Sequence, residues 1–456
     1  MKKSKSNIVY ECAECGQEFK QWFGWCKNCQ ARNSLVEKET FEESRSNSST
    51  NKSNSVEERA LPVSQIQVQN HLRTKLFSAE LNRMLGDGLV KGSIVLLSGD
   101  AGIGKSTLLT QIAGHAANQL KVLYASAEES IQQVKTRIER MGITSDNFYL
   151  LYDTCVENII NEALRIKADI VCFDSLQTLY SKDIEFGAGS IAQARYCIAL
   201  IQKFAKDREI SVFVITHITK DNQIAGPKVV EHAVDVTLFF EGDTTGQYRI
   251  LRSLKNRFAP SPDIAVFEMT EAGLFDVDNL ANVFISERHI QSAGTSIGIT
   301  MEGTRSILFE TQALVETNEY SMPVRQSIGY DRYRLNLLLG IISKHLKIPL
   351  YSRNVTVNLV GGLQVSARET SIDLAVFTSI LSSLWDIPMN KNWVFMGEVD
   401  LTGAVRAVSH QNIRLKEIQK GEFDTVFANI DQSYQGLDIR HIRHIRQIAE
   451  WLQSFK

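Results

Sequence analysis

Nine residues, Gly99-Asp100-Ala101-Gly102-Ile103-Gly104-Lys105-Ser106-Thr107, restrict the possible folds of this chain more than any other stretch. They follow a short apolar run, GSIVLLSG, and lead into STLLTQIAGHAANQ, where Leu108, Leu109, Ile112 and Ala116 recur at helical spacing. Gly99, Gly104, Lys105 and Ser106 satisfy G-x-x-x-x-G-K-[ST] in the strand–turn–helix context that the pattern requires. Its glycines let backbone N–H groups curl around phosphate oxygens, and the positive end of the following helix adds to that attraction. The implied ligand is a nucleoside triphosphate such as ATP, with Lys105 on its β- and γ-phosphates and Ser106 on Mg²⁺.

The surrounding residues keep the same alternation. KVLYASAEE reads as a strand, SIQQVKTRIERMG as an amphipathic helix through Ile131, Val134 and Ile138, and ADIVCFD and ISVFVITH as buried strands. Strand, helix, strand, helix implies a parallel sheet covered on both faces. Asp174 ends ADIVCFD, where a carboxylate completes the Mg²⁺ shell; a turn cap is the plainer role. Glu128 and Glu129 follow KVLYASA, one expected to activate the attacking water and the other to face solvent. Thr216 and His217 end ISVFVITH, as γ-phosphate sensors or as a plain cap.

Cys12, Cys15, Cys26 and Cys29 form two CxxC pairs, each on a tight knuckle able to aim two thiolates at one ion. Four sulfurs complete a tetrahedral, closed Zn²⁺ site, which is structural rather than catalytic. Trp22, Phe23 and Trp25 lie between the pairs and are expected to pack this module, with base stacking as the alternative. Cys155, Cys172 and Cys197 sit in apolar or helical contexts and read as core fillers. Residues 37–60 are rich in Ser, Asn, Glu and Lys and cannot bury enough surface to order, so a linker is expected there.

The 456 residues suggest roughly three domains. The boundaries expected are 1–36 for the zinc module, 37–60 for the linker, 61–284 for the nucleotide-binding unit and 285–456 for a second α/β unit. No run approaches the ~18 apolar residues of a membrane span, and no apolar stretch follows the basic start MKKSKSNIVYECAEC. A cytoplasmic protein with reduced thiols is expected, and no membrane partner. The formal charge of -2 gives no broad attraction to nucleic acid, so any such partner would need locally concentrated cations.

Several stretches together resemble the RadA/Sms family of bacterial recombination and repair ATPases, within the RecA-like superfamily. They are LNRMLGDGLVKGSIVLLSGDAGIGKSTLL, ASAEES, FDSLQTLYS, IAGPKVVEHAVDVTLFFEGD, LKNRFAP, EMTEAGL and GEVDLTGAVR, after the four-cysteine module. The resemblance implies a RecA-like P-loop ATPase core with an N-terminal zinc module and a C-terminal Lon-protease-like α/β domain. It implies a hexameric ring that binds single-stranded DNA, drives branch migration of recombination intermediates and works with the RecA recombinase. By the same analogy, Glu128 is the water-activating carboxylate. Lys255, Asn256, Arg257, Phe258 and Ala259 fall on the family's signature motif, where a neighbour's cation in a ring is worth about 10³–10⁵ in rate.

Three positions depart from the family pattern. Ala259 replaces the motif's final glycine, which carries a steric cost if φ is positive there. Ala101 stands for the usual proline, and Thr216 for the usual glycine. Lys220 and Lys228, in a loop after a strand, are the candidate DNA contacts. The region from about 350 resembles the Lon protease domain, with Ser371 at the place of the nucleophile in the first turn of a helix started by TSID. Asn412 falls at the place of the lysine base and Lys416 one turn later, so peptidase activity is not expected. Arg305, Arg325, Arg332 and Arg334 are candidates for a DNA surface. The alternative function is an ATP-driven ring-forming switch or scaffold, as in the clock ATPase KaiC of the same superfamily.

Overall fold

A computed structural model describes residues 7–12, 18–19, 21–32, 35–40, 73–217, 230–242, 247–261, 263–277, 280–285, 292–318 and 322–455. At the N-terminus, β1 (Asn7–Cys12) pairs antiparallel with β2 (Glu18–Phe19) on one side and β3 (Leu35–Thr40) on the other. β3 therefore runs to Thr40, into the stretch read as linker from residue 37; residues 41–60 lie outside the described ones.

The next unit runs β4 (Arg73–Thr74), α1 (Ala79–Met84), β5 (Leu89–Val90), β6 (Ile94–Gly99), α2 (Lys105–Ala116), β7 (Val122–Ser126), α3 (Ile131–Arg140) and β8 (Phe148–Tyr152). It continues through α4 (Val156–Ile166), β9 (Ile170–Asp174), α5 (Ile191–Arg208), β10 (Ser211–His217), β11 (Val236–Gly242), β12 (Tyr248–Asn256), β13 (Asp263–Thr270) and β14 (Gly273–Asp276). The main sheet has the order β14-β13-β12-β11-β6-β10-β9-β7-β8. From β8 to β11 the pairing is parallel; β12, β13 and β14 extend it antiparallel.

The period of two along β6 sends Val95 and Leu97 to one face and Ile94 and Leu96 to the other. The first pair meets Leu108, Ile112 and Phe213 in one core; the second meets Val171, Phe173 and Ile198 in another. A helix layer on each face is the consequence, because a strand buried on both sides has no solvent-facing alternative. Ser130 and Gln133 form a reciprocal capping box at the start of α3, satisfying two donors that the helix itself leaves open. Cys155, Cys172 and Cys197 are fully buried, and burial pushes the Cys197 thiol up to about 12.

The last unit comprises α6 (Ala281–Phe284), β15 (Thr295–Glu302), β16 (Arg305–Thr317), β17 (Arg325–Ile328), α7 (Arg332–Leu346), β18 (Arg353–Leu359) and α8 (Asp373–Trp385). After them come β19 (Trp393–Met396), β20 (Glu398–Val399), β21 (Val405–Arg406), α9 (Gln411–Lys420), β22 (Thr425–Ala428), β23 (Asp438–His441) and α10 (Ile445–Gln453). Its sheet has the order β17-β18-β16-β15-β19-β22-β23, with α8 packed on β15 and β16. Among the described residues no helix is long and apolar enough to cross a membrane.

Besides the cores of their own, the two sheets share one. Ile250, Ile264 and Val266 from β12 and β13 share one apolar cluster with Phe284, Phe309, Leu338 and Phe377. Polar contacts close the seam: Arg83, which also donates to the Ile264 carbonyl of its own unit (2.6 Å), reaches across to Thr304 Oγ1 (3.1 Å), and Arg305 pairs with Glu80. Phe284, fully buried in that seam, makes it testable. Phe284→Ala is expected to cost about 3–5 kcal/mol in urea denaturation, the usual penalty for emptying a buried phenyl site. A loss within about 0.5 kcal/mol, typical of a surface substitution, would show that the seam contributes little.

Candidate functional site

Four adjacent parallel strands deliver their carboxyl ends to one edge of the main sheet. In register, Gly99 of β6 stands beside His217 of β10, and Ser126 of β7 beside Asp174 of β9. This is the edge where open α/β sheets hold ligands. The phosphate loop leaves β6 through Gly99, whose φ is 149°. A Cβ there would fall on the Phe240 carbonyl oxygen, so only glycine lets the loop turn against β11.

Lys105 opens α2 and is buried, with Nζ donating to the carbonyls of Gly99 (2.9 Å) and Asp100 (2.7 Å). Burial pushes its pKa down, while Asp174, Glu128 and Asp100 pull it back up. Asp174 is 3% exposed and accepts from the Tyr124 hydroxyl at 2.6 Å. Burial pushes its carboxyl up against the hydroxyls of Tyr124 and Ser106. Its Oδ1 is buried with no hydrogen-bond partner among the described residues. A lone buried carboxylate oxygen beside a serine hydroxyl is a donor set that fits a hard divalent cation such as Mg²⁺.

Glu128 lies on the bend after β7. Its Oε1 accepts from the Ser175 hydroxyl, and its Oε2 lies 3.3 Å from His217 Nε2. Glu129, expected in solvent for one of the two acids, is instead paired with Arg137, whose Nη1 donates to Oε1 at 3.0 Å. Arg137 Nε also donates to Thr110 Oγ1 at 3.1 Å, so α2, α3 and the Glu128 bend are tied together. Thr216 is buried and accepts from Gln177 Nε2 at 2.7 Å. Tyr124, Arg137, Ser175 and Gln177 went unrecognised in the sequence; only Ser175 and Gln177 carried a signal, lying in FDSLQTLYS beside Asp174.

Lys255 and Arg257 are not at this edge. Lys255 pairs with Thr237, which faces Leu96, while Asp235 receives the Ile94 N–H. The motif thus sits toward the opposite end of β6, about 10 Å along the strand from Gly99. Lys255 Nζ donates to the carbonyls of Glu231 (2.6 Å) and Val234 (2.9 Å), and Arg257 Nη1 lies 3.3 Å from Asp235 Oδ1. Asn256 Oδ1 accepts from the N–H groups of Phe258 (2.8 Å) and Ala259 (3.2 Å), and Nδ2 donates to Met84 O (2.8 Å). Ala259 does not have positive φ, so the steric cost expected for alanine does not arise. The close neighbour is Gly86, at φ 76°, where a Cβ would lie 2.6 Å from the Phe258 carbonyl oxygen and 3.1 Å from Ala259 Cβ.

In the N-terminal module the thiol sulfurs of Cys12, Cys26 and Cys29 lie within 4.8 Å of one another; Cys15 is outside the described residues. The Asn28 N–H points at Cys26 Sγ (3.4 Å), and the Gln30 N–H closes the knuckle on the Cys26 carbonyl (2.8 Å). A converging thiolate set of this kind fits Zn²⁺. Phe23 packs edge-on against Phe19, as expected for packing, but Trp22 and Trp25 are 56% and 50% exposed. Their size outruns the small core formed by Cys12, Cys26 and Leu35. Lys220 and Lys228 lie outside the described residues.

Ser371 is not in the first turn of α8, which starts at Asp373; it precedes the cap residue Ile372. Its Oγ donates to the Ile299 carbonyl (3.0 Å) and accepts from Arg414 Nη1 (2.8 Å). Arg414, rather than Asn412 or Lys416, is the cation that meets this serine. It is fully buried and also donates to Ser409 O and Glu369 Oε1, each at 3.0 Å. A guanidinium is not deprotonated in proteins and cannot serve as the base of a Ser–Lys pair. Arg305 and Arg334 are likewise engaged inward, on Glu80 and on Asp373, while Arg332 is exposed.

Residues 74–223 match the model of a family described as an AAA domain, and residues 10–37 that of a rubredoxin metal binding domain. The chain is 40% identical over 437 residues to the DNA repair protein RadA of Bacillus subtilis (strain 168), covering 94% of each chain. To the DNA repair protein RadA of Campylobacter jejuni subsp. jejuni serotype O:2 it is 39% identical over 451 residues, covering 98% of this chain and 100% of that one. A KaiC-like protein from Pyrococcus horikoshii OT3 aligns with 45% of this chain and 99% of its own at 16% identity and a TM-score of 0.39, too distant to add to the argument.

The Arg414 node gives a prediction. Arg414→Met keeps the volume but strands Glu369 beside a buried serine, and is expected to cost about 3 kcal/mol in urea denaturation. A stable Arg414→Met protein would show that the ion pair is dispensable.

Proposed function

Because the chain belongs to the RadA/Sms family, we propose that it is a DNA-stimulated ATPase of recombinational DNA repair that moves branched DNA. The observation that carries this reading is the split between the two ends of the main sheet. Lys105, Asp174, Glu128 and His217 converge at one end, and the Lys255–Arg257 motif lies toward the other.

The nucleotide phosphates sit on the backbone N–H groups of residues 99–107, against the positive end of α2. Lys105 exchanges the carbonyls of Gly99 and Asp100 for β- and γ-phosphate oxygens. Ser106 and Asp174 hold Mg²⁺, which when bound neutralises charge on those oxygens. Glu128 orients the attacking water and takes its proton. Lys255 and Arg257 serve the neighbouring copy in a ring, taken as hexameric, and supply positive charge to the phosphoryl group being transferred. Chemistry at one boundary thereby becomes a signal between subunits.

Zn²⁺ on Cys12, Cys15, Cys26 and Cys29 stabilises the N-terminal module. Single-stranded DNA and branched recombination intermediates are the nucleic-acid partners, with Lys220 and Lys228 as candidate contacts, and the RecA recombinase is the protein partner. The cytoplasm is the compartment. The unit from 285 to 456 acts in assembly and not as a peptidase, since Ser371 is spent on Ile299 and Arg414.

Branch migration of a synthetic three-strand junction tests the reading, with hydrolysis followed in the same tubes with and without single-stranded DNA. Lys105→Ala is expected to abolish hydrolysis and strand movement together; unchanged turnover would overturn the phosphate-loop assignment. Lys255→Ala is expected to bind ATP normally and to lose strand movement, and normal migration by that variant would remove the motif's role. Hydrolysis without movement by the unmodified protein would favour a nucleotide-driven switch.

A further inference from the structure

Ser175 and Gln177 follow Asp174 in FDSLQTLYS, and the functional reading gives neither a task of its own. Ser175 is fully buried, and its hydroxyl donates to Glu128 Oε1. Gln177 lies in a short 3-10 turn, Leu176–Thr178. Its Nε2 donates to Thr216 Oγ1 (2.7 Å) and to the His217 carbonyl (3.0 Å), which fixes the end of β10. His217 Nε2 in turn lies 3.3 Å from Glu128 Oε2. The Glu128 carboxylate therefore has two partners: Ser175 donates to Oε1, and His217, the residue that Gln177 anchors, lies 3.3 Å from both oxygens.

A glutamate on an exposed bend samples many rotamers, and confining it costs side-chain entropy. Glu128 is such a residue, with its side chain 36% exposed. Two partners fixed to the ends of neighbouring strands remove that freedom before substrate arrives. They do so without exhausting the acceptor: a carboxylate has about four lone-pair sites, and two partners leave room for a water proton. The backbone also links the groups, since the Ala127 N–H donates to the Asp174 carbonyl at 2.7 Å. The end of β9 thus presents Asp174 and, one residue on, the group that aims Glu128.

We propose that Ser175 is a positioning residue for Glu128, with Gln177 supporting it through His217. The inference rests on the reading of Glu128 as the base that accepts the proton of the attacking water. Ser175 keeps its own proton throughout and contacts neither the phosphates nor the water.

Steady-state hydrolysis by full-length Ser175→Ala, Gln177→Ala and Glu128→Gln, with nucleotide affinity from a fluorescent ATP analogue, tests it. Ser175→Ala is expected to lower kcat by about 10–100-fold, the usual cost of a misaligned catalytic group, with KM and nucleotide affinity unchanged. Gln177→Ala is expected to show the same split with a smaller loss. A fall in affinity and melting temperature alongside kcat would mean that Ser175 only holds the turn, and would overturn the proposal. So would an unchanged kcat, or a raised one, which would make the hydroxyl a restraint on the base. Glu128→Gln separates the two levels: if it is inactive while Ser175→Ala is normal, only this proposal fails. If it hydrolyses ATP like the unmodified protein, the base assignment fails and takes the proposal with it.

Discussion

A carboxylate taken out of water without full compensation is expensive, and Asp174 is in that position. It is 3% exposed, and one of its two oxygens has no hydrogen-bond partner among the described residues. The surrounding site reads as compensation for that burial. Tyr124 donates to the other oxygen, the Ser106 hydroxyl and the Arg137 charge favour the ionised form, and Lys105 feels its field. Arg137 in turn holds Glu129, and so the bend that carries Glu128. One costly buried charge thus ties together α2, α3 and the ends of β7 and β9.

Sheet register decides which groups can share a site. Parallel pairing of β6, β10, β9 and β7 brings their carboxyl ends level, so residues far apart in sequence, such as Ser126, Asp174 and His217, meet. The antiparallel return through β12 carries the signature motif back toward the other end of β6. Its local structure is settled within the chain, because Asn256 caps the turn and Lys255 binds the carbonyls of Glu231 and Val234. Burial and the neighbouring Arg257 both depress the Lys255 pKa. A cation held this way is engaged by carbonyls of its own chain, away from its own phosphate loop.

Strands buried on both faces were legible because continuous apolar runs admit few other structures, and β6, β7, β9 and β10 lie where they were expected. The antiparallel β12–β14 extension was not, since RILRSLKN carries charges at positions that only its pairing explains. β3 was missed for a related reason: EKET pairs with β1 through backbone groups, which every residue carries whatever its side chain. Glu129 was misplaced because its partner Arg137 lies across a bend, outside any helical spacing rule. The Ser371 partner was missed because a position counted along a motif says nothing of which α9 side chain points inward. Arg414 is buried there, while Asn412 and Lys416, two residues to either side, point elsewhere.

The seam between the sheets limits how the two units can move against each other. Ile250, Ile264 and Val266 are buried against Phe284 and Phe309, and opening that contact would return each side chain to water at about 1.5–3 kcal/mol apiece. Arg83 would lose Thr304, and Arg305 would lose Glu80, in the same movement. Because β12 also ends in Lys255 and Asn256, the strand that presents the signature motif is the one anchored in the shared core. Displacing the motif without moving the last unit would strain that anchorage, which links the far end of the ATPase sheet to the unit behind it.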